Sequence, residues 1–224
     1  MKLIIFDLDQ TLVDAIDHNI IAFEKMFKRT FNAEASLTDI KFAGMTVPNI
    51  IREIGEVNDI PKEEIEKNLS LAIEKVNQYF KESIAREQVK ILPGAEELLK
   101  KLSERGHALG LVTGNIEGIT RTILEKSGLN EYFDIIVTGS ESDERTKLVE
   151  LAIKKAKNKF KKKFSDEEIV IIGDSIHDIE SGKPFDALTI VVTTGFHSEE
   201  ELLEYSPDYL FQDLTEPEIL EILE

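Results

Sequence analysis

The stretch "IIFDLDQTLVD", residues 4–14, decides how this chain is read. An apolar run ends abruptly in acids: Asp7 and Asp9 follow at once, and Asp14 comes soon after. Side chains two apart on an extended chain point the same way, so Asp7 and Asp9 share a side with Leu8 opposite. Carboxylates gathered at the end of a buried strand repel one another and are driven toward protonation. A bound cation, or chemistry performed on one of the acids, accounts for the placement.

Working outward, the run 2–6 has four counterparts: "ALGLV" (108–112), "FDIIV" (133–137), "EIVII" (168–172) and "LTIVV" (188–192). Each is too short for a buried helix and is bounded by turn residues. Near-continuous apolar strands of this kind belong to a parallel sheet covered on both faces. Helical patterns lie between them at 93–106, 116–128 and 146–160, the first two closing on Gly106 and Gly128. The alternation predicts an α/β fold with a doubly wound parallel sheet.

Residues 15–90 break that alternation. They hold no strand-like run, only amphipathic helical patterns at 17–31, 47–55 and 61–83. The expected organisation is therefore an α/β core from 1–14 and 91–224 with an inserted all-helical cap at 15–90. Ligands bind beyond the carboxyl ends of the strands in such sheets, and an insert after the first strand is placed to cover that edge. Its connections near Val13–Ala15 and Val89–Pro93 would act as a hinge.

The composition narrows the classes of function. The chain has 44 acidic against 27 basic residues and a net charge of -17, which repels nucleic acids and anionic membranes. The one basic cluster, 154–164, reads as a helix with Ala156, Phe160 and Phe164 inward and lysines in solvent. Without cysteine there is no disulfide, thiol catalysis or thiolate metal site. No apolar run is long enough for a membrane span, so the expectation is a cytoplasmic protein, monomeric or homodimeric.

In a parallel sheet the carboxyl ends share one edge, where the other strand-end turns join Asp7 and Asp9. "IIGDSIHD" contributes Asp174 and Asp178, a pair that faces back toward the strand if a helix begins after Ser175. Oxygen-only donors in this number suit Mg2+. "LVTGN" contributes the Thr113 hydroxyl and the backbone amides of Gly114 and Asn115 at a helix start, a favourable place for a phosphate. "TGSESDERTK" offers Arg145 and Lys147 as alternative cations for an anion at the edge; Arg145 lies nearer the turn.

Taken in order, "DLDQT", "LVTGN" and "GDSIHD" resemble the three acidic and hydroxyl motifs of the haloacid dehalogenase superfamily, in its capped, phosphoglycolate-phosphatase-like branch. The resemblance spans essentially the whole chain. It departs at Gln10, where the family usually has glycine, and in the basic motif, which lacks the common Lys-Pro pair. Gln10 is expected to be tolerated because its side chain points away from the acids. The resemblance implies a Mg2+-dependent phosphatase acting on a small phosphorylated metabolite. In it Asp7 is the nucleophile, Asp9 the general acid and base, and Thr113, Gly114, Asn115 and Arg145 or Lys147 bind phosphate. Asp7, the Asp9 carbonyl, Asp174 and Asp178 would hold the metal. A sugar phosphomutase of the same superfamily and a non-enzymatic phosphoacceptor domain are the alternatives. For the mutase, His18 falls one place out of register with a cap-hinge histidine and reads as helix surface. His18, Asn19, Met45 and Thr46 are candidates for substrate choice from the cap side.

Overall fold

A computed structural model describes residues 1–224. The chain opens with β1 (Leu3–Phe6) and β2 (Val13–Asp14), then three helices, α1 (Ile16–Thr30), α2 (Val47–Val57) and α3 (Lys62–Ser83). Next come β3 (Lys90–Ile91), α4 (Ala95–Glu104), β4 (Ala108–Thr113), α5 (Glu117–Ser127) and β5 (Ile135–Thr138). The remainder is α6 (Arg145–Phe160), β6 (Ile169–Gly173), α7 (Ile176–Gly182), β7 (Leu188–Val192), α8 (Glu199–Glu204), β8 (Tyr209–Phe211) and α9 (Pro217–Ile222).

Six strands form a fully parallel sheet in the order β5-β4-β1-β6-β7-β8. The chain winds outward from β1 through β4 to β5, then returns to β1's other side and continues through β6, β7 and β8. Winding therefore reverses beside β1, the switch point at which such sheets open a crevice at their carboxyl ends. The unbroken apolar strands follow from double coverage: Ile4 and Phe6 join the core that includes α4 and α5, while Leu3 and Ile5 join the core under α6.

All five apolar runs become strands, and the helical patterns become α1–α6 with shifts of a residue or two. The run at 133–137 enters the sheet as a strand at Ile135; just before it, Asp134 is tied to β4 at both ends, its backbone N–H donating to Leu109 O (2.8 Å) and its carboxylate accepting from the Leu109 N–H (3.2 Å). Two features were not anticipated. β8 is a three-residue edge strand, too short to leave an alternation signal. β2 and β3 pair antiparallel as a two-stranded ribbon, Val13 opposite Ile91 and Asp14 opposite Lys90. This ribbon carries both connections to the helical segment at the place expected of a hinge.

Between the ribbon strands, α1 and α3 pack along Ala22, Phe23, Met26 and Phe27 on one side and Ala72, Val76 and Phe80 on the other. Pro48 opens α2, where its missing amide costs nothing. These helices share one continuous apolar core with the α4–α5 face of the sheet. No helix is long and apolar enough to cross a membrane. Truncating the fully buried Phe80 to alanine is expected to cost about 3–5 kcal/mol. Leu71→Ala, at an exposed site on the same helix, should change stability by no more than about 0.5 kcal/mol. Urea unfolding of both variants checks the contrast.

Candidate active site

β1 does not stop pairing where the acids begin. The Asp7 amide donates to the Ile172 carbonyl (2.9 Å), carrying the ladder one residue past Phe6 and fixing Asp7 at the sheet edge. Leu8 then points into the core and Asp9 back toward the edge, as the two-residue period requires. A tight turn follows, closed by the Gln10 amide on Val13 O (2.7 Å) and the Leu12 amide on Leu8 O (2.9 Å). Gln10 sits at φ +62°, in the left-handed region where glycine is at ease. Glycine would hold this conformation without strain, so what Gln10 costs here is set by the backbone; Gln10 also borders the pocket over Asp7 and Asp9. The Gln10 side chain, through Nε2, donates to Asp14 Oδ1 (3.0 Å), which offsets part of the strain.

Beyond β6, Ser175 caps α7 in a reciprocal box: its hydroxyl accepts from the Asp178 amide, and Asp178 Oδ2 accepts from the Ser175 amide and hydroxyl. The box turns the remaining Asp178 oxygen, Oδ1, toward the edge. Asp174 Oδ1 accepts from the buried Thr11 hydroxyl (2.9 Å). Gly195, after β7, lies so close to Asp174 that a Cβ there would stand 1.9 Å from its Oδ2. Sequence reasoning gave neither Thr11 nor Gly195 a role. The first was visible as the threonine of "DLDQT"; the second had no local signal.

The basic motif separates cleanly. Arg145 is the first residue of α6 and is buried, its Nη2 donating to Asp7 and to Asp178 (2.6 Å). Lys147, two residues on, is turned roughly 200° around the helix. It is exposed and paired with Glu144 (2.5 Å), outside the cluster. Arg145 Nε and Nη1 are buried and have no partner. At the end of β4, the Asn115 amide N–H donates to Thr113 Oγ1 (3.2 Å), and the Asn115 side chain donates to Asp9 Oδ2. Asp9 Oδ1 is buried without a partner.

The electrostatics are those of acids withdrawn from water. Burial pushes the Asp7 carboxyl up to about 6, against the pull of the Arg145 guanidinium beside it. Burial, and then the Asp7 charge, push Asp9 up to about 7. Burial followed by the charges of Asp7 and Asp178 holds Asp174 well above the usual carboxylate range. Oxygens of Asp7, Asp174 and Asp178 lie within 4.8 Å of one another, and all three residues are buried. An oxygen-only set whose burial is left undercompensated by a single arginine fits a hard divalent cation.

Above the cluster lies a cavity of about 60 Å3, lined from below by Asp7, Asp9, Thr113, Gly114, Asn115, Arg145 and Asp174. The helical segment closes it from above with Ile16, Asn19, Phe23, Met45 and Ile50 among others. Two of the cap-side candidates, Asn19 and Met45, therefore face the site. Thr46 is buried and donates instead to Asp143 O (3.2 Å). His18 is not a surface residue: it packs on Phe80, with Nδ1 2.8 Å from Ser83 Oγ and Nε2 3.4 Å from Glu87.

A doubly wound sheet with clustered acids at its switch point defines an α/β enzyme class, and comparison with known proteins narrows it. Residues 4–192 match the haloacid dehalogenase-like hydrolases, and the chain belongs to that family. Pyrophosphatase PpaX of Halalkalibacterium halodurans is 28% identical over 223 residues, covering 98% of this chain and 95% of its own. A phosphoglycolate phosphatase of Nitrosospira multiformis is 24% identical over 219 residues, covering 96% and 93%. The crystal structure of a predicted phosphoglycolate phosphatase from Haemophilus somnus superposes with a TM-score of 0.77 at 20% identity, over 100% of this chain and 98% of that one.

The raised Asp9 carboxyl has a consequence for stability. Between its ordinary value of 3.8 and about 7 the folded protein retains a proton that the unfolded chain has lost. Stability therefore falls as pH rises through that window. In chelator, the melting temperature should drop from pH 5 to pH 7, and Asp9→Asn should flatten the drop. An unchanged slope in the variant would contradict the assignment.

Proposed function

We propose that this hydrolase cleaves a small phosphate monoester in a Mg2+-dependent reaction, through an aspartyl-phosphate on Asp7, in the cytoplasm. One observation carries the reading: the buried, unpartnered Nε and Nη1 of Arg145 and the unpartnered Asp9 Oδ1 flank Asp7 at the floor of one cavity. Donors and an acid left unspent around a carboxylate are what an incoming phosphoryl group requires. The relatives named as pyrophosphatase and phosphoglycolate phosphatase support phosphorus chemistry.

In this reading Asp7 attacks phosphorus and expels the alcohol. Asp9, protonated because of its burial beside Asp7, gives its proton to the leaving oxygen. It then takes a proton from the water that opens the aspartyl-phosphate. The Asn115 side chain orients Asp9 by holding Oδ2, which leaves Oδ1 for the proton. Arg145, Thr113 and the turn amides of Gly114 and Asn115 bind the transferred oxygens. Mg2+, held by Asp7, Asp174, Asp178 and the Asp9 main-chain carbonyl, would supply charge neutralisation for the anionic group and keep Asp7 ionised. Thr11 and Gly195 position Asp174 for that task. The helical segment at 15–90 serves as a cap that excludes bulk water and selects the substrate. His18, engaged by Ser83 and Glu87, is turned to α3, which supports hydrolysis over phosphate transfer to a second sugar hydroxyl.

Asp7→Asn should reduce phosphate release to background while leaving the protein folded; activity above background in the pure variant would exclude Asp7 as nucleophile. Arg145→Ala should lower kcat by about 10²–10³-fold, roughly 3–4 kcal/mol, as for loss of one preorganised donor. Lys147→Ala should stay near wild type. Steady-state phosphate release, with and without chelator, measures all of these, and full activity in excess chelator would exclude a metal-dependent reaction.

A further inference from the structure

The cap side of the cavity has a chemistry of its own. Ile16, Phe23, Leu37, Met45 and Ile50 present an apolar wall, and Asn19 is the single polar side chain that α1 places in it. Asn19 is buried to 93%, being only 7% exposed, and its Oδ1 has no hydrogen-bond partner. A buried, unsatisfied amide oxygen costs about 1–3 kcal/mol, so its retention calls for a partner that arrives with the substrate. A second observation is electrostatic. Arg145 is the only cationic side chain that lines the cavity, and it lies on the floor among Asp7, Asp9 and Asp174. Its donors are committed to the acids and to the phosphoryl group. A second anionic group on the substrate, a carboxylate or another phosphate, would be pressed against an apolar wall with no counter-charge, which is far more costly than burying a neutral group.

We infer that the substrate is the phosphate ester of a small, neutral, largely apolar alcohol that carries one further hydroxyl, and that Asn19 selects it by hydrogen-bonding that hydroxyl. The inference rests on the phosphatase reading above and names the substrate class within it. A hydroxyl suits the position because it can donate to the amide oxygen and accept from the amide nitrogen. The class differs from what the names of the relatives describe: pyrophosphate and phosphoglycolate each bring a second anionic group to the wall where this chain has none to neutralise it.

The test is a substrate series with Mg2+ present: propyl and butyl phosphate, 3-hydroxypropyl and 4-hydroxybutyl phosphate, 2-phosphoglycolate, pyrophosphate and p-nitrophenyl phosphate. Wild-type kcat/KM should be at least tenfold higher for the better hydroxyalkyl ester than for its deoxy counterpart, phosphoglycolate or pyrophosphate, since a site built to bond a hydroxyl rejects the analogue that lacks it. Asn19→Leu, close in size but without hydrogen-bonding groups, should bring the hydroxyalkyl-to-alkyl ratio to near one; Asn19→Ala serves the same comparison if the leucine variant melts early. Two outcomes overturn the inference while p-nitrophenyl phosphate is still hydrolysed: phosphoglycolate or pyrophosphate as the best substrate, or an unchanged ratio in both variants. Absence of phosphate release from every ester, p-nitrophenyl phosphate included, overturns the phosphatase reading and the inference together.

Discussion

Carboxylates buried at one edge of a sheet, with a single guanidinium among them, are the constraint on which the rest of this structure depends. Asp7, Asp174 and Asp178 converge within 4.8 Å, and Arg145 bridges only two of them. Burial raises Asp7, Asp9 and Asp174, so this arrangement lowers the stability of the metal-free fold near neutral pH. The surrounding architecture supplies the compensation: an unbroken apolar strand to anchor Asp7, a capping box to hold Asp178, a threonine hydroxyl on Asp174 and a helix start to deliver Arg145. Each of these groups orients an acid that would otherwise turn toward water.

The helical segment completes the site without contributing an acid to it. Its internal packing, α1 on α3, is apolar and extensive. Its edge contacts to the α/β layer around the cavity are of another kind. Arg52 pairs with Asp143 (2.7 Å), Lys41 with Glu201 (3.0 Å), Phe42 meets the exposed Phe196 edge-on at 5.0 Å, and the Val47 amide donates to Gly114 O (3.0 Å). Exposed ion pairs contribute at most about 1 kcal/mol each. These rim contacts add to the apolar core that the helical segment shares with the α4–α5 face of the sheet.

Much of this was legible in the sequence because it is carried by strong local signals. Five β-branched runs gave the parallel sheet, and "DLDQT", "LVTGN" and "GDSIHD" placed Asp7, Asp9, Thr113, Asn115, Asp174 and Asp178 on its carboxyl edge. The choice between Arg145 and Lys147 was open, because both lie in the first turn of α6 and only the helix phase separates them. His18 and Asn19 illustrate the same limit. They are adjacent in sequence, but one turn angle sends His18 to α3 and Asn19 into the cavity. Gln10 depended on backbone conformation, and Gly195 on a contact between distant turns, neither of which has a residue-level signature in one sequence.

The central claim is that a phosphoryl group passes through the Asp7 carboxylate. Rapid acid quench of a turning-over reaction, followed by peptide mapping with mass spectrometry, tests it most directly. The account predicts a phosphoryl adduct on the peptide that contains Asp7, lost on treatment with hydroxylamine as an acyl phosphate must be, and absent from Asp7→Asn. Sustained turnover with an adduct on another residue, or with Asp7 unmodified at every quench time while Asp7→Asn remains active, would contradict it.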